Sequence, residues 1–159
     1  MTTTMIKKAE SLATEYHKGM TDKYDNPYME HLERVAGRVR DMEYDFVDET
    51  SEIELYVTAA YLHDIIEDTD IKVEDLVATF SEEVIAAIFR LTREKGTTYA
   101  EYIEKIMSRR ELPTLAGKIA RVVKLADLLD HVSGPTPCPQ HLKKRYEKSL
   151  YRLISKGFV

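Results

Sequence analysis

The chain has 159 residues, 43% of them apolar and 32% charged, with a formal net charge of −5. That length and balance fit one folded domain with its own core and exclude disordered and fibrous classes. No apolar run approaches the roughly 20 residues of a membrane span, and the acidic balance excludes a broad nucleic-acid-binding face, which would be strongly basic.

Six Gly, five Pro and apolar spacing near 3.6 residues predict an all-α fold across residues 1–159, read as a single domain. A first helix runs from about Thr4 to Lys18 and stops at Gly19. The loop Met20 to Asp25 leads to Asn26-Pro27, an N-cap followed by proline at the first helical position. The second helix carries the stripe Tyr28, Leu32, Val35, Val39 and Met42. The acidic stretch Asp41 to Glu54 holds a loop and the start of a third helix, which ends near Asp68. Within that stretch Met42, Tyr44 and Phe46 suit core packing better than a partner surface.

Further helices are expected at Val73 to Thr79, Glu82 to Arg93 behind a Ser81 cap, Thr98 to Arg110, and Leu115 to Val132. A stiff linker, Pro135 to Pro139, feeds a last amphipathic helix from Gln140 to Lys156. The N-terminus, Met1 to Lys8, lacks the apolar core of a secretory signal. A single cysteine, Cys138, makes neither an internal disulfide nor a thiolate cluster, so a reducing cytoplasm is expected.

The run Tyr61-Leu62-His63-Asp64-Ile65-Ile66-Glu67-Asp68-Thr69 is the most informative segment. On one continuous helix, Glu67 lies a turn below His63 and Asp68 a turn below Asp64. Carboxylates among apolar residues are costly to bury, and a divalent cation compensates because imidazole and carboxylate are its ordinary ligands. His31 sits at the edge of the second helix's apolar stripe, where a hydrogen-bonded structural histidine is the competing reading. Asp127 interrupts the apolar helix around Val122-Val123 and Leu128-Leu129, with a buried salt bridge to Lys124 as its alternative. Together His31, His63, Asp64 and Asp127 form a ligand set for one divalent cation, with positions open to water and substrate. The mixture of oxygen and nitrogen donors favours manganese, or another octahedral first-row ion, over structural zinc.

Four ordered segments carry a resemblance. They are His17-Lys18-Gly19 with Lys23, Pro27-Tyr28-Met29-Glu30-His31 with Val35-Ala36, Leu62 to Thr69, and Val123-Lys124-Leu125-Ala126-Asp127. Over residues 12–132 the chain resembles the HD phosphohydrolases, within them the (p)ppGpp hydrolase domain of the RelA/SpoT homologues, and most of all the stand-alone small hydrolases. The resemblance implies an HD-domain helical bundle that binds metal through His31, His63, Asp64 and Asp127. It also implies that Glu67 and Asp68 position and activate the attacking water. Lys23, Tyr28, Thr92, Arg93, Lys124 and His131 are implied as substrate contacts. The reaction implied is removal of the 3′-pyrophosphate of (p)ppGpp, leaving GDP or GTP.

The chain departs from that pattern at two places. Asp22 stands where the family usually has an arginine that stacks on guanine, which removes stacking and would repel an anion. His131 stands where it typically has asparagine. These motivate a second reading, a phosphatase acting on another nucleotide or dinucleotide such as NADPH. A third, a non-catalytic nucleotide-binding module, is opposed by the intact ligand and acid set. Only 27 residues follow Val132, too few for the synthetase domain of the bifunctional members, so breakdown rather than synthesis is expected. A homodimeric assembly is compatible with the sequence.

Overall fold

The computed structural model of the chain describes residues 4–42, 52–111 and 113–157. Two helices buried through most of their length organise it. One is α3, Ile53–Leu62, buried continuously from Tyr56 through Leu62. The other is α8, Leu115–Ser133, whose residues from Ile119 through Leu128 are all buried. α3 is apolar nearly all round and so belongs inside a protein, whereas α8 buries Arg121, Lys124, Asp127 and Asp130 among its apolar residues.

Around this pair pack α1 (Met5–Tyr16), α2 (Tyr28–Asp41), α6 (Glu82–Leu91) and α9 (Gln140–Gly157). The short elements α4 (Ile65–Asp68), α5 (Val73–Thr79) and α7 (Tyr99–Ile106) fill the connections. α1 and α2 lie on α3, while α2, α6 and α9 lie on α8. The single hydrophobic cluster runs from Ala9 and Ala13 in α1 to Leu153 in α9. This is the expected all-α architecture, with no strand among the described residues. None of the described helices is long and apolar enough to cross a membrane.

Hydroxyl side chains start several of these helices. Thr4, Ser81, Thr98 and Thr114 each accept a backbone N–H from the first turn, and Glu101 completes a capping box with Thr98. α7 ends at Ile106 rather than Arg110, and three further expectations need correction. Pro27, not Asn26, is the capping residue of α2, because Asn26 gives its amide to the Asp22 carboxylate instead. α6 stops at Leu91 rather than Arg93, since Thr92 leaves helical geometry.

The third correction matters most. The helix expected to continue to Asp68 breaks at His63-Asp64, between α3 and α4. Here the His63 ring donates from Nδ1 to the Ala60 carbonyl at 2.6 Å, capturing an acceptor that a continued helix would use. Of the acidic stretch, Met42 packs against the core, while Tyr44 and Phe46 lie outside the described residues.

Candidate metal centre and adjoining cleft

Helix α2 supplies His31, the α3–α4 break supplies His63 and Asp64, and α8 supplies Asp127. His63 Nε2 lies 3.0 Å from Asp64 Oδ2 and 3.5 Å from Asp127 Oδ1. His31 Nε2 lies 3.1 Å from Asp127 Oδ1 and 3.9 Å from Asp64 Oδ2.

Each group is aimed by a second contact. His31 gives its Nδ1 proton to Asp130 Oδ2 at 2.7 Å, and His63 gives its own to Ala60. Those bonds leave the lone pair on Nε2 in both neutral rings. Lys124 Nζ holds Asp127 Oδ2 at 2.8 Å, which turns Oδ1 toward the imidazoles. His31 Nε2, His63 Nε2 and Asp127 Oδ1 are all buried without a hydrogen-bond partner. Lone pairs facing one another out of water are unfavourable unless a shared cation resolves them. The donor set therefore fits a divalent cation.

The electrostatics agree. Burial opposes protonation of His31, but the neighbouring Asp127 and Asp130 carboxylates raise it to about 9. Burial also opposes protonation of His63, yet Asp64 and Asp127 hold it well above the usual histidine range. Asp127 is held well below the usual carboxylate range by Lys124 and His131, against the effect of burial. Two protons and one divalent cation carry the same charge, so either answers this field.

Tyr28 donates its hydroxyl to Asp64 Oδ2 at 2.5 Å. The α4 turn carries Glu67 and Asp68 beside the centre, and the Asp68 amide bonds the Asp64 carbonyl at 2.9 Å. Burial, Asp64 and Glu67 push the Asp68 carboxyl up to about 6, while burial raises Glu67. Glu67 accepts the backbone N–H of Arg93, so the loop after α6 fixes its carboxylate.

A cleft of about 270 Å³ adjoins the centre and shares His31 with it, with Tyr28 and His131 also in its lining. Lys23, Arg34 and Tyr146 line it, and Thr136 to Pro139 close one wall, so the stiff linker forms part of the pocket. Of the residues expected to touch substrate, Lys23, Tyr28 and His131 face this cleft. Thr92, Arg93 and Lys124 do not line it. Thr92 bonds the Ile88 carbonyl, Arg93 Nε bonds the Thr97 carbonyl, and Lys124 is buried on Asp127.

Asp22 has a job of its own. Its carboxylate accepts the N–H groups of Tyr24 (2.8 Å) and Asn26 (3.1 Å), and the Thr136 hydroxyl at 3.4 Å. It ties the α1–α2 loop, where Asp25 adopts a positive φ of 62°, to the segment before α9.

Sequence reasoning missed three residues here. Asp130 orients His31 and is itself gripped by Arg34 from Nε (2.8 Å) and Nη2 (3.1 Å). A second carboxylate in the same apolar helix as Asp127 was the available signal. His17, noted within a motif but given no role, is buried and stacked on Tyr28 at 5.3 Å.

The HD domain family model matches residues 28–132, which include His31, His63, Asp64 and Asp127. The chain belongs to the HD domain family. This HD domain is 30% identical over 131 residues to a probable guanosine-3′,5′-bis(diphosphate) 3′-pyrophosphohydrolase from Synechocystis sp., covering 80% of the chain but 16% of that protein. It is 29% identical over 130 residues to the guanosine-3′,5′-bis(diphosphate) 3′-pyrophosphohydrolase MESH1 of Drosophila melanogaster, covering 79% of the chain and 68% of that protein. A solved structure described as a metazoan ortholog of SpoT that hydrolyzes ppGpp superposes with a TM-score of 0.69. That match has 23% identity and covers 98% of the chain and 86% of the solved one, a likeness of fold.

Proposed function

We propose that this HD domain is a metal-dependent phosphohydrolase that removes the 3′-pyrophosphate of (p)ppGpp. The observation carrying the proposal is the meeting of His31 Nε2, His63 Nε2 and Asp127 Oδ1, buried and unpartnered, beside a cleft bearing Lys23 and Arg34. The names of the Synechocystis and Drosophila relatives supply the substrate. His31, His63, Asp64 and Asp127 would hold the ion, with manganese favoured by its two carboxylates. A bound divalent cation supplies Lewis acidity, bringing the pKa of water from ~15.7 toward ~7.

The residues of the chain do the rest. Glu67 and Asp68 stand on one turn at the edge of the centre and accept a proton from the attacking water. Tyr28 and Lys124 hold Asp64 and Asp127 in place. The water oxygen joins the phosphorus on the 3′ oxygen, the P–O3′ bond breaks, and the proton taken from water passes to the 3′ oxygen as pyrophosphate departs. A cytoplasmic location is consistent with this substrate.

A second reading keeps the centre but changes the nucleotide, such as a monophosphate or NADPH, and rests on the Asp22 carboxylate in the cleft wall. Incubation with manganese and ppGpp, read by product identity, separates the two. Pyrophosphate and GDP support the first; orthophosphate from another nucleotide, with ppGpp untouched, rejects it. Asp64→Ala and Glu67→Ala should both abolish turnover, the first with loss of bound metal.

A further inference from the structure

Helix α8 carries one more imidazole toward the centre. His131 follows Asp127 by four residues, so the two side chains sit one above the other on the same face. Its Nε2 lies 3.2 Å from Asp127 Oδ1. That oxygen thereby faces three imidazole nitrogens, at 3.1 Å from His31, 3.5 Å from His63 and 3.2 Å from His131. Neighbouring donors around an ion with bonds of ~2.1 Å stand ~3.0–3.4 Å apart, whether the site is octahedral or tetrahedral. One ligand atom each from His31, Asp127 and His131 lie within 4.8 Å of one another, as do those from His31, His63 and Asp64. The His131 ring is also held in plane. It stacks on Tyr146 of α9 with centroids 5.0 Å apart and 25° between planes.

We propose that His131 is a further ligand of the cation, acting through Nε2, so that three imidazoles rather than two surround it. The inference rests on the metal centre proposed above. Its consequence is a change in ion preference. Added nitrogen favours the later first-row ions, cobalt, nickel and zinc, over manganese, which prefers oxygen donors. Helix α9 gains a part in the chemistry as well, because Tyr146 sets the angle of a ligand.

Metal-stripped protein titrated with Co²⁺ alone and with Mn²⁺ alone, without nucleotide, tests this. Calorimetry gives the affinities, and visible absorption reports the cobalt environment. His131→Asn should weaken Co²⁺ binding by about tenfold or more, the scale of losing a well-placed ligand contact. Mn²⁺ affinity should change by less than about threefold, and the cobalt bands should move. His131→Asp, which supplies an oxygen donor in place of the nitrogen, should tighten Mn²⁺ binding without restoring Co²⁺ preference. Since the His131 side chain is 40% exposed, both variants should fold. An unchanged cobalt spectrum and unchanged Co²⁺ to Mn²⁺ ratio in both variants would overturn the assignment. Wild-type protein that binds neither ion would instead sink the metal centre itself, and this inference with it.

Discussion

His31 and Asp130 are joined by a 2.7 Å hydrogen bond that spans 99 residues of sequence. The bond decides which ring nitrogen of His31 faces Asp127, and Arg34 holds the carboxylate that makes the choice. Partners of this kind tune metal affinity by roughly 10–100-fold. Asp130→Ala should therefore weaken Mn²⁺ binding by that factor while His31 itself is intact. Calorimetric titration checks it, and wild-type affinity in the variant would show that His31 needs no such orientation.

Metal should also stabilise the fold. An ion that binds only the native state at 100 times its dissociation constant adds about 2.7 kcal/mol, and a chain this size moves in Tm by roughly 2–4 °C per kcal/mol. Chelation should thus lower Tm by about 5–10 °C. The response should disappear in His63→Asn, whose Nε2 is one of the buried unpartnered atoms. Scanning calorimetry with and without chelator reads both.

The carboxyl of Asp68, pushed up to about 6 by burial and its acidic neighbours, gives a pH signature. Its folded pKa lies above 3.8, the ordinary value for an aspartate. The linked stability is therefore full below pH 3.8 and is lost as pH rises through 6. In metal-free protein, Asp68→Asn should raise Tm at pH 8 relative to wild type and leave it little changed near pH 4. An equal gain at both pH values would contradict the assignment.

Gly134 closes α8 against the residue that orients His31. A Cβ there would meet the Asp130 carbonyl oxygen at 2.2 Å and Oδ1 at 2.9 Å, closer than real contacts allow. Gly134→Ala should destabilise the protein by about 1–3 kcal/mol through overpacking. Because Asp130 must shift, metal affinity should fall in the same variant. Urea unfolding and metal titration together test this, and a loss of stability with metal binding intact would uncouple the two.

Much of the centre was legible because its members are wrong for their surroundings. Asp127 in an apolar helix and His63-Asp64 at the end of another are costly unless they share a ligand, and the structure gathers them. The break between α3 and α4 was not legible. No Gly or Pro marks it, and the cause is a side-chain hydrogen bond from His63 that propensity does not encode. Asp22 was half legible for a related reason: its carboxylate lines the cleft as its charge implied, but its part in the loop was hidden. Its oxygens also take N–H groups of its own loop, a relation visible only once the turn is closed. Arg34 takes its role only from Asp130, which lies 96 residues further along the chain.

The two halves of the site are built from different material. The ion cradle hangs on α2, the end of α3, and α8, whereas much of the cleft wall comes from the loop after α1 and the proline-rich strap before α9. Substitutions in those connections can reshape what enters without disturbing what reacts. On this plan a change of guest calls for no change in the side chains that gather at the cradle.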